Sequence, residues 1–188
     1  MVPVTLTTER LVLRPWVTAD RVPFAALCAD AAVMEHFPST LTRRESDAFV
    51  DQIIAIMARD GYGLWAVEVR DLSPFVGYVG LWSARRVLGY DVLEVGWRLA
   101  RDSWGHGYAP EAAFEALRYA FDVLGETQVV SFTTPGNAKS RRVMEKLGLS
   151  HVDHFEHPGL PVGHPLRPHV LYRITAEDWR LLTEPQTF

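Results

Sequence analysis

The chain has 188 residues, 48% hydrophobic and 22% charged, enough for one domain with a sizeable core at about 150 residues per domain. Its 19 Lys and Arg against 23 Asp and Glu leave a formal charge of −4, which offers no bulk attraction for nucleic acid or an anionic membrane. A single cysteine, Cys28, excludes a disulfide framework and a thiolate metal cage and suits a reducing cytoplasm. No apolar run approaches the roughly 20 residues of a membrane span, and the first ten residues lack the basic segment and apolar core of a signal peptide. The expectation is one cytoplasmic domain over residues 1–188.

The first readable strand is Arg10 to Trp16, where Leu11 and Leu13 alternate with more polar neighbours. Thr18 reads as the N-cap of a helix carrying Phe24, Leu27 and Cys28. A second helix is expected from Thr42 to Asp60, with Phe49, Val50, Ile53, Ile54 and Met57 at helical spacing and Gly61 just past its end. Three strands follow, Gly63–Arg70, Phe75–Ser83 and Asp91–Ala100, the first two separated by the turn sequence Asp71-Leu-Ser-Pro74. From Pro110 the period changes: Ala113, Phe114, Leu117, Ala120, Phe121 and Leu124 share one helix face, and Gly125 ends it. Gln128–Thr134 reads as a short buried strand, and Ala138–Leu147 as a helix between Asn137 and Gly148. Two further strands flank a Pro/Gly-rich loop between His157 and Pro168, and Thr175-Ala-Glu-Asp178 caps a last helix. Meander strands first and a strand-helix-strand-helix unit afterwards make the fold α+β, with a mixed, mostly antiparallel sheet of about seven strands flanked by helices in three layers.

The chemistry concentrates between Asp91 and Leu149. A strand, Glu94-Val-Gly-Trp-Arg-Leu99, leads into the loop Arg101-Asp-Ser-Trp-Gly-His-Gly-Tyr-Ala109 and then a helix. Gly105 and Gly107 let the backbone turn tightly and present successive N–H groups at a helix N-terminus, where the positive end of the dipole also lies. A pyrophosphate is the natural occupant. A P-loop is excluded because no Gly-Lys-Ser/Thr follows. A Gly-x-Gly-x-x-Gly dinucleotide loop would need glycine where Pro110 stands. The plain alternative is a turn that needs two glycines for its own geometry.

Trp104-Gly-His-Gly-Tyr-Ala-Pro-Glu-Ala112, preceded by Glu-Val-Gly-Trp97 and followed by Asn137-Ala-Lys-Ser140-Arg-Arg-Val-Met-Glu-Lys-Leu-Gly148, resembles the GNAT superfamily of N-acetyltransferases. Thr8-Glu-Arg-Leu-Val-Leu-Arg-Pro15 and His169-Val-Leu-Tyr-Arg-Ile-Thr175 extend the resemblance over about Thr7 to Leu182, towards the branch that includes the ribosomal-protein N-terminal acetyltransferases. One departure is Asp102, at a position where the family usually carries Gln or Arg. The fold, and transfer of an acetyl group from acetyl-CoA to a primary amine (a protein N-terminus or a small molecule), are what the resemblance implies. So are the cofactor-side residues: Trp97, Arg98 and Leu99 on the strand, Ser103, Trp104, Gly105, His106, Gly107, Tyr108 and Ala109 in the loop, and Asn137, Ser140 and Arg142 beyond it.

An aliphatic ammonium has a pKa of about 10 and must lose a proton before its nitrogen attacks a thioester. Glu94 is the candidate base, because strand alternation sets it opposite Leu93 and Val95 and family members use a Glu on this strand. The alternative is a solvated carboxylate paired with Arg98. Many members carry a Tyr seven residues after the motif Asn, to protonate the leaving thiolate; here that residue is Met144, and the resemblance points to Ser140 instead, with solvent or a purely local backbone bond as alternatives. Asn137 would reach the pantetheine arm, or serve only as an N-cap.

Five of the seven histidines fall between His151 and His169. His154 and His157 would face opposite sides of a strand and no cysteine lies near, so no metal is expected; a loop over the acceptor site accounts for the segment better. The runner-up is a CoA-binding or sensing module without catalysis, on the strength of Met144, and a nicotinamide-dinucleotide binder stands behind it. The acceptor's identity and the oligomeric state, a dimer among the options, are not written in the sequence.

Overall fold

Leu11 and Leu13 alternate with Val12 and Arg14, and alternation of that kind buries one face of a strand. In the computed structural model, which describes residues 1–184, both leucines are fully buried on a strand spanning Leu11–Arg14. Residues 185–188, the end of the expected single domain, lie outside the described residues.

The elements run as follows. Strands β1 (Leu6–Thr7) and β2 (Leu11–Arg14) are followed by a 3-10 turn over Thr18–Asp20 and by α1 (Arg21–Ala29) and α2 (Arg43–Asp60). Next come β3 (Leu64–Val69), β4 (Ser73–Ser83), the short α3 (Arg85–Leu88) and β5 (Leu93–Leu99). Helix α4 (Tyr108–Arg118) leads to β6 (Gln128–Thr133), α5 (Ala138–Lys146), β7 (Ser150–Glu156), β8 (Pro168–Thr175) and α6 (Ala176–Thr183). The eight strands form the mixed, mostly antiparallel sheet, one strand more than expected.

Where the chain departs from the sequence expectations, a local cause is visible. Thr18 does not cap α1; it opens the 3-10 turn, and the Asp20 carboxylate accepts from Val17 N–H at 2.9 Å while Arg14 grips it at 2.8 and 2.9 Å. The turn between β3 and β4 is shorter than expected, because Asp71 takes a left-handed φ of 57° and lets Ser73 and Pro74 join the strand. Helix α4 begins at Tyr108, so Pro110 still lies in its first turn, where it forfeits no intrahelical bond. Beyond Arg118 the helix widens into a π turn over Tyr119–Val123, with Leu124 N–H donating to Tyr119 O at 3.1 Å.

By contacts the described chain divides into two compact units, Met1–Trp82 with Gly96–Ala116, and Ser83–Val95 with the residues from Leu117 onward. In the first, β1, β2, β3 and β4 pair antiparallel in sequence order. An aromatic group of Trp16, Phe24, Phe49, Phe75 and Tyr78 packs there with ring centroids 5.0 to 6.4 Å apart. Complete burial of Phe24 alone is worth about 2–3 kcal/mol relative to exposure. In the second unit, β5 and β6 pair parallel, which requires the intervening helical crossover, and β6, β8 and β7 continue antiparallel. There Trp179 of α6 stacks on Phe121 at 5.4 Å and donates its indole N–H to Asp122 at 3.0 Å.

Candidate active site

The glycine loop belongs to the first unit. Gly105 and Gly107 both adopt left-handed backbone, with φ of 80° and 82°, a conformation that costs a residue with a side chain about 1–2 kcal/mol. The N–H groups of Ser103 and Trp104 are used within the turn, donating to Ala100 O and Arg101 O. Those of Gly105, His106, Gly107, Tyr108 and Ala109 have no backbone acceptor among the described residues. Five successive unpaired donors at the start of α4 form the anion cradle that the sequence suggests. Ser103 can serve it through its hydroxyl only. Trp104 braces the loop by donating its indole N–H to Leu99 O at 2.9 Å. A depression of about 310 Å³ opens beside the loop, lined in part by Val76, Asp102, Ser103, His106 and Tyr108.

A group that the sequence reading passed over holds this loop. Glu111, in the first turn of α4, accepts from Thr8 Oγ1 at 2.5 Å, from Arg10 N–H at 3.2 Å and from Arg10 Nε at 2.7 Å. Arg10 Nη1 also donates to His106 O at 3.0 Å, and the guanidinium lies 5.0 Å over the Tyr108 ring. Burial alone would raise the Glu111 pKa, but the bonds from Thr8 and Arg10 and the guanidinium charge bring it below the usual carboxylate value. Arg10 and Glu111 are 101 residues apart in the chain, so no local periodicity could have paired them.

Arg98, expected on the cofactor side, has its side chain elsewhere in this unit. Its guanidinium lies 4.0 Å over the Phe37 ring, and Nη1 donates to Cys28 Sγ at 3.3 Å, while Nε is buried without a partner. Tyr78 and Phe49 flank it at 5.5 and 5.8 Å. Only its backbone is left for a cofactor. Beside it on β4, Gly77 is required: a Cβ there would fall 2.1 Å from Arg98 O. Burial pushes the Cys28 thiol pKa up, against the lowering effect of Arg98, so this thiol is poorly disposed to ionise.

Glu94, Asn137 and Ser140 belong to the second unit. Glu94 is the register partner of Val130 on β6. Val130 sits in an apolar cluster with Ala84, Val92 and Leu171, edged by Leu88, Phe132 and Phe155. Loss of water around the Glu94 carboxyl pushes its pKa up to about 8, and no cation or hydrogen bond offsets this. The residue as a whole remains part-exposed. This is not the solvated pair with Arg98 that stood as the alternative. Asn137 does cap α5, with its side-chain oxygen accepting from Ser140 N–H at 3.1 Å, and its amide nitrogen donates to Thr133 Oγ1 at 3.0 Å. The Ser140 hydroxyl makes no hydrogen bond among the described residues, and Met144 is fully buried as a packing residue. Arg141 reaches Tyr172 OH and Pro135 O, while Arg142 is exposed.

Four of the five histidines between His151 and His169 form two pairs. His151 and His154 rings stand 4.7 Å apart, and His157 and His169 stand 4.9 Å apart against Phe132 and Phe155. Burial holds His157 and His169 below the ordinary imidazole pKa, and His169 lowers His157 further. No group of three or more His, Cys, Asp or Glu is placed to hold a metal among the described residues. No described helix is long and apolar enough to cross a membrane.

An unpaired N–H cradle before a helix, a desolvated strand carboxylate and a capped Asn-x-x-Ser turn fit an acyl-CoA transferase, and the chain matches the acetyltransferase (GNAT) domain family over residues 10–150. It belongs to that family, whose members are N-acetyltransferases using acetyl-CoA. Among its relatives, the Bacillus subtilis protein YkkB, itself uncharacterised, is 31% identical over 145 residues, covering 77% of this chain and 84% of that protein. The FsC-acetyl coenzyme A-N(2)-transacetylase of Aspergillus fumigatus is 40% identical over 101 residues, covering 50% of this chain and 41% of that protein. Among solved structures, a GNAT-family acetyltransferase from Bacillus anthracis aligns over 93% of this chain and 99% of its own with a TM-score of 0.78 at 24% identity.

Proposed function

We propose that the chain acts as a single acetyltransferase domain in which Glu94 takes the proton from a primary amine, while the Gly105–Ala109 backbone holds the pyrophosphate of acetyl-CoA. The observation that carries this reading is the placement of Glu94 on β5 beside Val130 and its apolar cluster, where loss of water raises its pKa to about 8. Moving a proton from an ammonium of pKa about 10 to an ordinary carboxylate of about 4.5 is uphill by some 7 kcal/mol; to a carboxylate of about 8 it is uphill by about 3 kcal/mol. The opposing cost is that only about one Glu94 in ten is ionised at pH 7, worth about 1.4 kcal/mol. The raised value wins. It brings the base close to the working pH, where general-base catalysis is most efficient.

The deprotonated nitrogen then attacks the thioester carbonyl carbon, the C–S bond breaks, and the second proton that the nitrogen sheds on becoming an amide passes to the departing thiolate. Ser140 is assigned to that step because its hydroxyl is uncommitted. Asn137 orients the first turn of α5 that carries Ser140. The name of the A. fumigatus relative, an N(2)-transacetylase, supports an amine nitrogen as acceptor. The Thr8-Glu-Arg-Leu11 segment and Ser140 support the branch that acts on protein N-termini.

A CoA-release screen across peptides and small amines, run on the wild type and on Glu94→Gln, tests the proposal. Amine-dependent release, reduced at least about a hundredfold by the substitution, is expected. Release that Glu94→Gln leaves intact would remove Glu94 from the mechanism, and binding of CoA without release under any amine would favour a sensing module.

A further inference from the structure

In a planar trans peptide the C=O and the N–H point in opposite directions. The peptide between His106 and Gly107 has its carbonyl turned onto Arg10 Nη1 at 3.0 Å, so its N–H, that of Gly107, is aimed away from the guanidinium. That peptide makes no other hydrogen bond among the described residues. His106 is exposed, and the glycines before and after it, both with positive φ, resist a flip only weakly. A flipped peptide would present a carbonyl oxygen to an anion in place of a donor.

Arg10 is itself immobilised for this task. Its Nε and Nη2 both engage Glu111 Oε2, at 2.7 and 2.5 Å, and its ring-facing side rests on Tyr108. Its backbone is fixed in turn, with Arg70 N–H donating to Arg10 O at 2.9 Å. Thr8 holds the other carboxylate oxygen of Glu111. The guanidinium approaches so closely that a Cβ on Gly107 would lie 3.4 Å from Nη2. A planar fork holds a carboxylate and a carbonyl in fixed directions at once, which the freely rotating donors of a lysine ammonium do less well. The pairing has an electrostatic consequence too: it neutralises a carboxylate that would otherwise stand bare in the first turn of the helix facing an incoming polyanion.

We propose that Arg10, held by Glu111 and Thr8, is a positioning residue for acetyl-CoA: it sets the His106–Gly107 peptide so that the loop is a donor array before the ligand arrives. The proposal rests on the reading that this loop takes the pyrophosphate. The Arg10 guanidinium is committed to Glu111, His106 O and the Tyr108 ring, so its removal is expected to act on KM and spare kcat.

The test compares wild type, Arg10→Met and Arg10→Lys by kcat and KM for acetyl-CoA, by Tm with and without CoA, and by amide hydrogen exchange across residues 103–109. Arg10→Met is expected to raise KM for acetyl-CoA about tenfold, the loss of a fork-type charge-assisted contact, with kcat within about twofold. Arg10→Lys falls between. The loop amides 105–109, unpaired without ligand, gain protection from CoA, and Arg10→Met is expected to need about tenfold more CoA than wild type to reach it. A KM and an exchange pattern equal to wild type in folded Arg10→Met overturns the proposal, as does a loss confined to kcat. Should Arg10→Met fail to fold, Arg10→Lys, which keeps the charge and the stem but not the fork, is read by the same criteria. Wild-type protein whose Tm and loop exchange do not respond to CoA would instead sink the loop reading itself.

Discussion

Glu94 and Glu111 are the same residue type in opposite situations. Glu94, on β5, has water withdrawn and nothing supplied in its place, so its pKa rises to about 8. Glu111, at the start of α4, is also partly withdrawn from water, but Thr8 and Arg10 satisfy it and its pKa falls. The first is therefore a group that can accept a proton near neutral pH; the second is a permanent anion that anchors an arginine. What separates a candidate base from a structural strut is thus the company of each carboxylate.

The comparison can be broken most violently at Glu94. Glu94→Gln keeps the shape and removes the base, so kcat/KM should fall at least about a hundredfold while the CoA-induced rise in Tm is retained; a steady-state assay beside thermal unfolding checks both. Ser140→Ala, further along the same unit, should lower kcat by about tenfold, with KM for acetyl-CoA little changed, because thiolate protonation can fall back on solvent.

A quieter test uses stability. Because Glu94 titrates higher in the folded chain than the ordinary value of 4.5, its contribution to stability is complete below about pH 4.5 and is lost as pH rises through about 8. The loss amounts to about 3 kcal/mol, allowing for the part-exposed residue. Urea unfolding between pH 5 and 9 should show that decline in wild type and a flatter profile in Glu94→Gln. Glu111 has the opposite sign: its contribution is present above its unfolded pKa and fades as pH falls through its depressed folded value, so Glu111→Gln should flatten the acid limb. The smallest expected effect is at Asn137, where Asn137→Ala removes the cap of α5 and should cost about 1 kcal/mol in the same unfolding assay.

Local signals were legible in the sequence. The left-handed Gly61 after α2, the α5 cap at Asn137 and the α6 cap at Thr175 with Asp178 all stand where residue types announced them, since capping is decided within four residues. Gly105 and Gly107 likewise show the positive φ that their spacing suggested. The two-residue β1 and four-residue α3 are too short to carry any periodicity, and the π turn leaves the apolar spacing of Phe121 and Leu124 almost unaltered. The Arg10–Glu111 pair and the Phe37–Arg98–Cys28 contact join segments distant in sequence, and a single chain read in order has no signal for either. For Glu94 the strand pattern supplied a position, but the desolvation that matters comes from its apolar neighbours on other elements.

The proposed role of Glu94 as proton acceptor rests on its desolvation. The pH dependence of kcat/KM for a simple primary amine measures it most directly. In wild type, kcat/KM should rise with pH, reach half its plateau near pH 8 and fall only as the ammonium itself titrates near 10; Glu94→Gln should lose the inflection near 8 and follow the acceptor's own titration. A wild-type profile already flat from pH 6, or an inflection near 8 that survives in Glu94→Gln, would contradict the account.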